Sequence, residues 1–191
     1  MSDLMLDVDQ AGELKAAFRR GDWTNQEIKK LCEGDVLASV RNVIRGYASI
    51  MVLEHVIDCD VTPFVPSGWK VEEHQKGGAL RWDKERQKDA LFLAIAQKSG
   101  RIEGNKLRKE LELAKEPVLN ANVLDYLLAN PHLIPEEWKG KYVFFWGTIY
   151  RASIGGLCVR CLHWHGDEWY WNCLWLGNDW HDDYPAALRA S

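Results

Sequence analysis

The chain has 191 residues and a formal net charge of −4, with 47% hydrophobic and 27% charged residues. That composition excludes a disordered chain and is long enough to bury a core. It gives the molecule no overall attraction to nucleic acid or to an anionic membrane surface. The charge is uneven. Residues 1–64 carry 7 basic and 11 acidic side chains, residues 65–117 carry 12 and 9, and residues 138–191 carry five of each. The basic middle reads first as a solvated helix face.

The start, Met1-Ser2-Asp3-Leu4-Met5, is acidic and lacks the long apolar run of a secretory signal. No segment reaches the ~18 apolar residues of a membrane span. A cytoplasmic protein is the simplest expectation, and the five cysteines then read as free thiols.

In chain order, Leu14, Ala17 and Phe18 recur at helical spacing. Thr24-Asn25-Gln26-Glu27 is a capping box that opens a second short helix, ending near Gly34. Asp35 can cap a third, with Val36, Leu37, Val40, Val43 and Ile44 as its apolar stripe, and these helices are expected to pack on one another. Ile50-Met51-Val52-Leu53 and Val56-Ile57 favour a strand. Thr62-Pro63-Phe64-Val65-Pro66-Ser67-Gly68 reads as a linker and marks a candidate boundary.

The middle segment, 63–137, is mixed. Trp69-Lys70-Val71 leads to a turn at Gly77-Gly78, and Leu80-Arg81-Trp82 is a short strand. Leu91-Phe92-Leu93-Ala94-Ile95 has no decisive period. Leu107 and Leu111 sit on a helix that Pro117 ends. Asn120-Ala121-Asn122 opens another, with Val123, Leu124, Leu127 and Leu128, that Asn130-Pro131 stops.

Residues 138–191 form the third segment. Seven of the ten tryptophans lie between Trp138 and Trp180. Strands are expected near 142–151, 157–165 and 168–176, as an antiparallel meander whose second hairpin closes on Gly166-Asp167 or His165-Gly166. In either register one face holds Cys158, Arg160, Leu162 and Trp164 beside Trp169, Trp171, Cys173 and Trp175. The other holds Val159, Cys161, His163 and His165 beside Tyr170, Asn172 and Leu174. On the first strand Val143, Phe145 and Ile149 alternate with Tyr142, Phe144, Trp146 and Tyr150, and an even-length first loop would put the second set on the histidine face. Burying one Trp contributes roughly 4–6 kcal/mol of transfer free energy, so at least one face must pack on helices.

The run Ile102-Glu103-Gly104-Asn105-Lys106-Leu107-Arg108-Lys109-Glu110-Leu111 and Pro117 to Leu128 resemble a family of uncharacterised bacterial proteins from small-genome candidate phyla. Phe145-Trp146-Gly147-Thr148-Ile149-Tyr150-Arg151 through Trp175-Leu176-Gly177-Asn178-Asp179-Trp180 is similar to that family's recurrent ending. The resemblance covers most of the chain from about Glu33. It implies no activity. It implies an aromatic ending reused on different N-terminal parts, which favours binding over catalysis.

Cys158-x2-Cys161-x-His163-x-His165 has zinc-ligand residue types. An extended strand puts Cys158 on the opposite face from the other three, and three ligands at i, i+2 and i+4 span roughly 13 Å. No metal site and no cofactor is expected. A Cys158–Cys173 disulfide would need His165-Gly166 as the turn. Asp179-Trp180-His181-Asp182-Asp183 reads as a turn and solvated tail.

The expectation is therefore an α+β protein with N-terminal helices, a mixed middle and a C-terminal three-stranded meander. Its leading function is a non-enzymatic binding module using Trp164, Trp169, Trp171, Trp175 and Arg160. Stacked rings suit a protein or peptide partner, with a glycan or single-stranded nucleic acid as alternatives. A second reading is a small enzyme with His163, His165 and Asp179 in a cavity between sheet and helices. A third is a nucleic-acid-associated protein using Lys84 to Lys109.

Overall fold

A computed structural model describes residues 7–51 and 54–190. The chain is α+β and divides into two compact units, Met1–Leu53 and Glu54–Ser191. No helix among the described residues is long and apolar enough to cross a membrane.

The first unit is helical. α1 (Val8–Arg20) opens on a reciprocal capping box between Asp7 and Gln10. α2 (Asn25–Leu31) opens on the expected Thr24/Glu27 box, in which the Glu27 N–H donates to Thr24 and the Thr24 N–H donates to Glu27. α3 (Val36–Ile44) follows Asp35, whose side chain makes no capping hydrogen bond. The expected helix-on-helix core does not form, because none of the three helices contains a buried residue. Helices of 13, 7 and 9 residues offer too little apolar area to seal one.

The second unit begins with β1 (His55–Asp58), β2 (Lys70–His74) and β3 (Ala79–Trp82). Of the expected strand at 50–57, Ile50 and Met51 are not extended into it, and Val52 and Leu53 lie outside the described residues. The undecided run at Leu91 splits into β4 (Leu91–Phe92) and α5 (Ile95–Ser99), after the short α4 (Lys84–Gln87). β5 (Ile102–Glu103), α6 (Gly104–Ala114) and α7 (Ala121–Ala129) follow, the last capped by Asn120 as its residue type predicts. Short 3₁₀ turns at Pro131–Leu133 and Glu136–Trp138 lead to β6 (Tyr142–Arg151), β7 (Leu157–His165), β8 (Glu168–Trp175), β9 (Asp179–Trp180) and β10 (Ala186–Ala187).

The aromatic segment is not a plain three-stranded meander. β6, β7 and β8 are consecutive antiparallel neighbours, but they belong to a six-stranded mixed sheet. Its order is β4-β10-β6-β7-β8, and β2 also pairs with β6. β10 runs parallel to β6 and antiparallel to β4. Two strands of the middle segment, β2 and β4, are thus hydrogen-bonded into the same sheet as the aromatic strands. β1–β3 and β5–β9 form two separate ribbons.

Two cores flank the sheet. α7 covers one face, where Val123, Leu124 and Leu127 meet Val143, Phe145 and Leu162, with Ile57, Leu80, Trp82 and Trp138 completing the cluster. α6 covers the other, where Leu107 and Leu111 meet Phe144, Trp146, Ile149, Val159, Cys161 and Trp180.

The first strand changes face partway along. Tyr142, Val143 and Phe144 pair with His163, Leu162 and Cys161, but Ile149 and Tyr150 pair with Val159 and Cys158. Five steps on β6 (144 to 149) thus oppose two on β7 (161 to 159). The extra residues are a bulge, and they reverse the side-chain parity. Tyr142 and Phe144 lie on the histidine face while Tyr150 lies on the tryptophan face, so the set expected to stay together is split.

The bulge is held by a buried polar hub. The Gly147 N–H donates to the Leu119 carbonyl (2.9 Å), and the Gln75 N–H donates to the Gly147 carbonyl (2.7 Å). The Asn120 amide donates to the carbonyls of Cys59 (2.8 Å) and Gln75 (3.0 Å). The Thr148 hydroxyl accepts from the Ala121 N–H (3.0 Å) and bonds His74 Nδ1 (2.8 Å), while His74 Nε2 reaches the Cys59 carbonyl (3.1 Å). A carbonyl only accepts, so Nε2 carries the proton and Nδ1 accepts from Thr148. A Cβ on Gly147 would come within 2.9 Å of the Asn120 Cβ, which is why glycine stands there.

Asn120→Ala leaves the Cys59 carbonyl with His74 alone, takes the donor from the Gln75 carbonyl and removes the cap of α7, and about 2–3 kcal/mol of stability should be lost. A fall in the urea midpoint with unchanged slope checks this.

Candidate functional site

The second hairpin decides where the tryptophans point. His165 pairs with Glu168, so Gly166-Asp167 is the two-residue turn, with Gly166 at φ 61°. This left-handed position favours a residue without a Cβ. In the resulting register Cys158 opposes Trp175, Arg160 opposes Cys173, Leu162 opposes Trp171 and Trp164 opposes Trp169. All five residues expected at the binding face share one side of the sheet.

Of the four tryptophans none is buried. Trp171 is 38% exposed, and Trp164, Trp169 and Trp175 are half-buried. Trp164 and Trp169 meet edge to face at 5.4 Å, and the Lys139 ammonium lies 3.9 Å above the Trp164 ring. Trp171 and Trp175 are joined by a ring from outside the meander. Trp69 meets Trp171 edge-on and Trp175 at a tilt, each at 6.5 Å. Phe64, from the same connection, is 55% exposed.

Arg160 is not on the surface. It is 1% exposed and forms a two-pronged ion pair with Asp125 of α7, at 2.7 and 3.1 Å. Its guanidinium carbon lies 4.4 Å from the Trp171 ring centroid and 5.3 Å from that of Phe64. Arg160 Nε has no hydrogen-bond partner among the described residues. The ring faces supply cation–π contact instead. The expected role is thereby changed: Arg160 is the support beneath the platform, and Trp171 is its lid. Tyr150, on the same face, donates its hydroxyl to the Phe64 carbonyl at 2.9 Å, and burial pushes its pKa up.

The sequence did not single out Trp69 and Phe64, because the prolines around them read as linker. The available signal was two large aromatics bracketing Pro66 in a short stretch.

The opposite face carries a smaller aromatic stack. Tyr142 stacks on His163 at 5.0 Å, and Tyr170 lies 6.1 Å beyond. Burial, with His165 nearby, holds His163 below the usual histidine range. Asp179 is elsewhere, on β9 opposite Glu103 and 3.8 Å from Arg101. Among the described residues no hydrogen bond joins it to either histidine. A cleft of about 360 Å³ beside α6 is lined by Arg108, Glu112, Lys115 and Trp146, among others, and by no histidine.

β7 is extended from Leu157 to His165, so Cys158 faces away from Cys161 and His163. Burial lifts the Cys161 thiol to about 12. Among the described residues His181, Asp182 and Asp183 bring ligand atoms within 4.8 Å of one another on the surface. Cys158 and Cys173 are diagonal neighbours with free thiols. Hydrogen bonding from Cys158, aided by Arg160, holds the Cys173 thiol down at about 7, and the Cys158 thiol is pushed up.

Two outcomes follow from this geometry. Asp125→Ala strands the buried Arg160 charge and should cost about 3–5 kcal/mol, whereas the Asp125→Leu/Arg160→Met pair should recover most of it, as read by chemical denaturation. Iodoacetamide should label the half-buried Cys173 with a rate that rises through about pH 7, while Cys161 stays unreactive there, as read by peptide mass mapping.

Comparison with protein-family models, with curated proteins and with solved structures found no match for this chain.

Proposed function

We propose that this protein is a non-enzymatic binding module whose ligand is a protein or peptide, taken up on the tryptophan face of the sheet. The observation that carries this reading is the partial exposure of all four rings, Trp164, Trp169, Trp171 and Trp175, in a row on one face. Such rings bury large area on contact while losing little side-chain freedom, and Trp is prominent among residues that dominate binding energy.

Trp171 is held before any ligand arrives. Arg160 lies against one side of its ring and Trp69 against its edge. Preorganisation of this kind lowers the ordering cost of association. Phe64 and Val65, both exposed, extend the apolar surface beyond the sheet. The charge inside the site is already neutralised by the Arg160–Asp125 pair. This favours an apolar or aromatic-rich peptide over a phosphate backbone.

A displayed peptide library selected on the intact chain tests this. Binders should lose about 30-fold in affinity when Trp171 is changed to Ala, the effect of an interface residue worth about 2 kcal/mol. Arg108→Ala, in the cleft beside α6 on the opposite face of the sheet, should leave affinity unchanged. Equal binding by Trp171→Ala would remove the proposal, and so would selective retention of a glycan or low-salt oligonucleotide with no peptide bound.

A further inference from the structure

β8 ends the path of the six-stranded sheet, and its only sheet neighbour among the described residues is β7. The direction of its main-chain groups can be read from one bond. The Leu176 N–H donates to the Leu157 carbonyl at 2.9 Å, so this opposed pair is hydrogen-bonded. Antiparallel pairs alternate, so 159/174, 161/172, 163/170 and 165/168 are hydrogen-bonded as well. Trp169, Trp171, Cys173 and Trp175 therefore turn their main-chain groups outward, to the open edge.

Two of those groups are already engaged. The Trp175 carbonyl accepts from the Asn178 N–H at 3.0 Å, and the Cys173 N–H donates to the Asn172 side chain at 2.7 Å. Both groups of Trp169 and of Trp171, together with the Cys173 carbonyl and the Trp175 N–H, are left facing outward. Edge strands are normally guarded by lysine, proline or a bulge. β8 contains no lysine, arginine, proline or glycine, and Glu168 is its only charged residue.

We propose that the edge of β8 is a self-association site: it pairs antiparallel with β8 of a second copy of this chain, about a two-fold axis at Trp171. The inference is separate from peptide binding on the rings, because it uses the main chain of the strand. The fit is internal to the strand. With the axis at Trp171, the two Trp171 residues exchange both of their main-chain bonds. Each Trp169 N–H then meets the Cys173 carbonyl of the other copy. Glu168 falls opposite Leu174 rather than opposite Glu168, so no like charges are brought together. Closed two-fold pairing also satisfies the β8 edges of both copies at once.

Analytical ultracentrifugation of the intact chain over a micromolar concentration series should show a reversible dimer. Cys173→Pro keeps every ring and the β7 ladder, since its N–H points outward, but places a proline ring on the edge. It should sediment as a monomer with an unchanged far-ultraviolet spectrum. In a Cys32→Ser background, Trp171→Cys should form an intermolecular disulfide on mild oxidation, since the hydrogen-bonded pair spacing of about 5.5 Å suits one. Tyr170→Cys should not. A monomeric wild-type chain, or a dimer that Cys173→Pro leaves intact, overturns the proposal. A monomer that still binds selected peptides through Trp171 would leave the binding function standing and remove only this inference.

Discussion

The bulge in β6 is the constraint on which the rest of the second unit depends. One strand has to serve two cores that lie on opposite faces of the sheet. Val143 and Phe145 enter the core under α7, while Phe144, Trp146 and Ile149 enter the core under α6. Beyond the bulge the parity has reversed, so Tyr150 can close over the buried Arg160. Gly147, Thr148 and Asn120 fix that reversal with hydrogen bonds to the 59, 75, 119 and 121 backbone. Every bond in the hub joins segments distant in the chain, so the hub also ties α7 and β2 to the sheet.

The ion pair of Arg160 with Asp125 does a related job closer to the surface. A charge 1% exposed would be costly alone, and its partner comes from the helix that covers the same face. The pair therefore fixes the rotation of α7 against β7. It also fixes the height of Trp171, whose ring seals the guanidinium from above. Support and platform are one assembly: the rings shield the charge, and the charge orients the rings.

The sequence made visible what is local and periodic. Thr24 and Glu27 wrote their capping box in four residues, and Asn120 marked the start of α7. Gly166-Asp167 left two registers open, and both gave the same faces, so the grouping of Trp164, Trp169, Trp171 and Trp175 was legible without knowing the turn. Non-local facts were not legible. β10 is two alanines, Ala186 and Ala187, which carry no strand signal of their own and are extended because β4 and β6 lie on either side. The bulge left one mark, Gly147 inside a run that otherwise favours a strand, but a single glycine does not say how many residues are extra. Arg160 was placed on the right face, but only its own burial and its ion pair with Asp125 of α7 show that it is a support. Phe64 and Trp69 were obscured by their prolines, since composition describes the connection and not what it lies against.

The position of residues 183–189 has a consequence for synthesis. The Asp183 and Pro185 carbonyls accept from Tyr142 and Phe144, the Ala187 carbonyl accepts from Leu119, and the Leu188 N–H donates to the Ala90 carbonyl. These residues follow every other strand of the sheet in sequence, yet they lie in its interior, between β4 and β6. Until they emerge, β6 can pair with β7 on one side and, along residues 148–151, with β2 on the other, but its 142–144 end faces an open seam. The nascent chain can form its hairpins and helices early, but its central seam closes only when this late segment has left the exit tunnel.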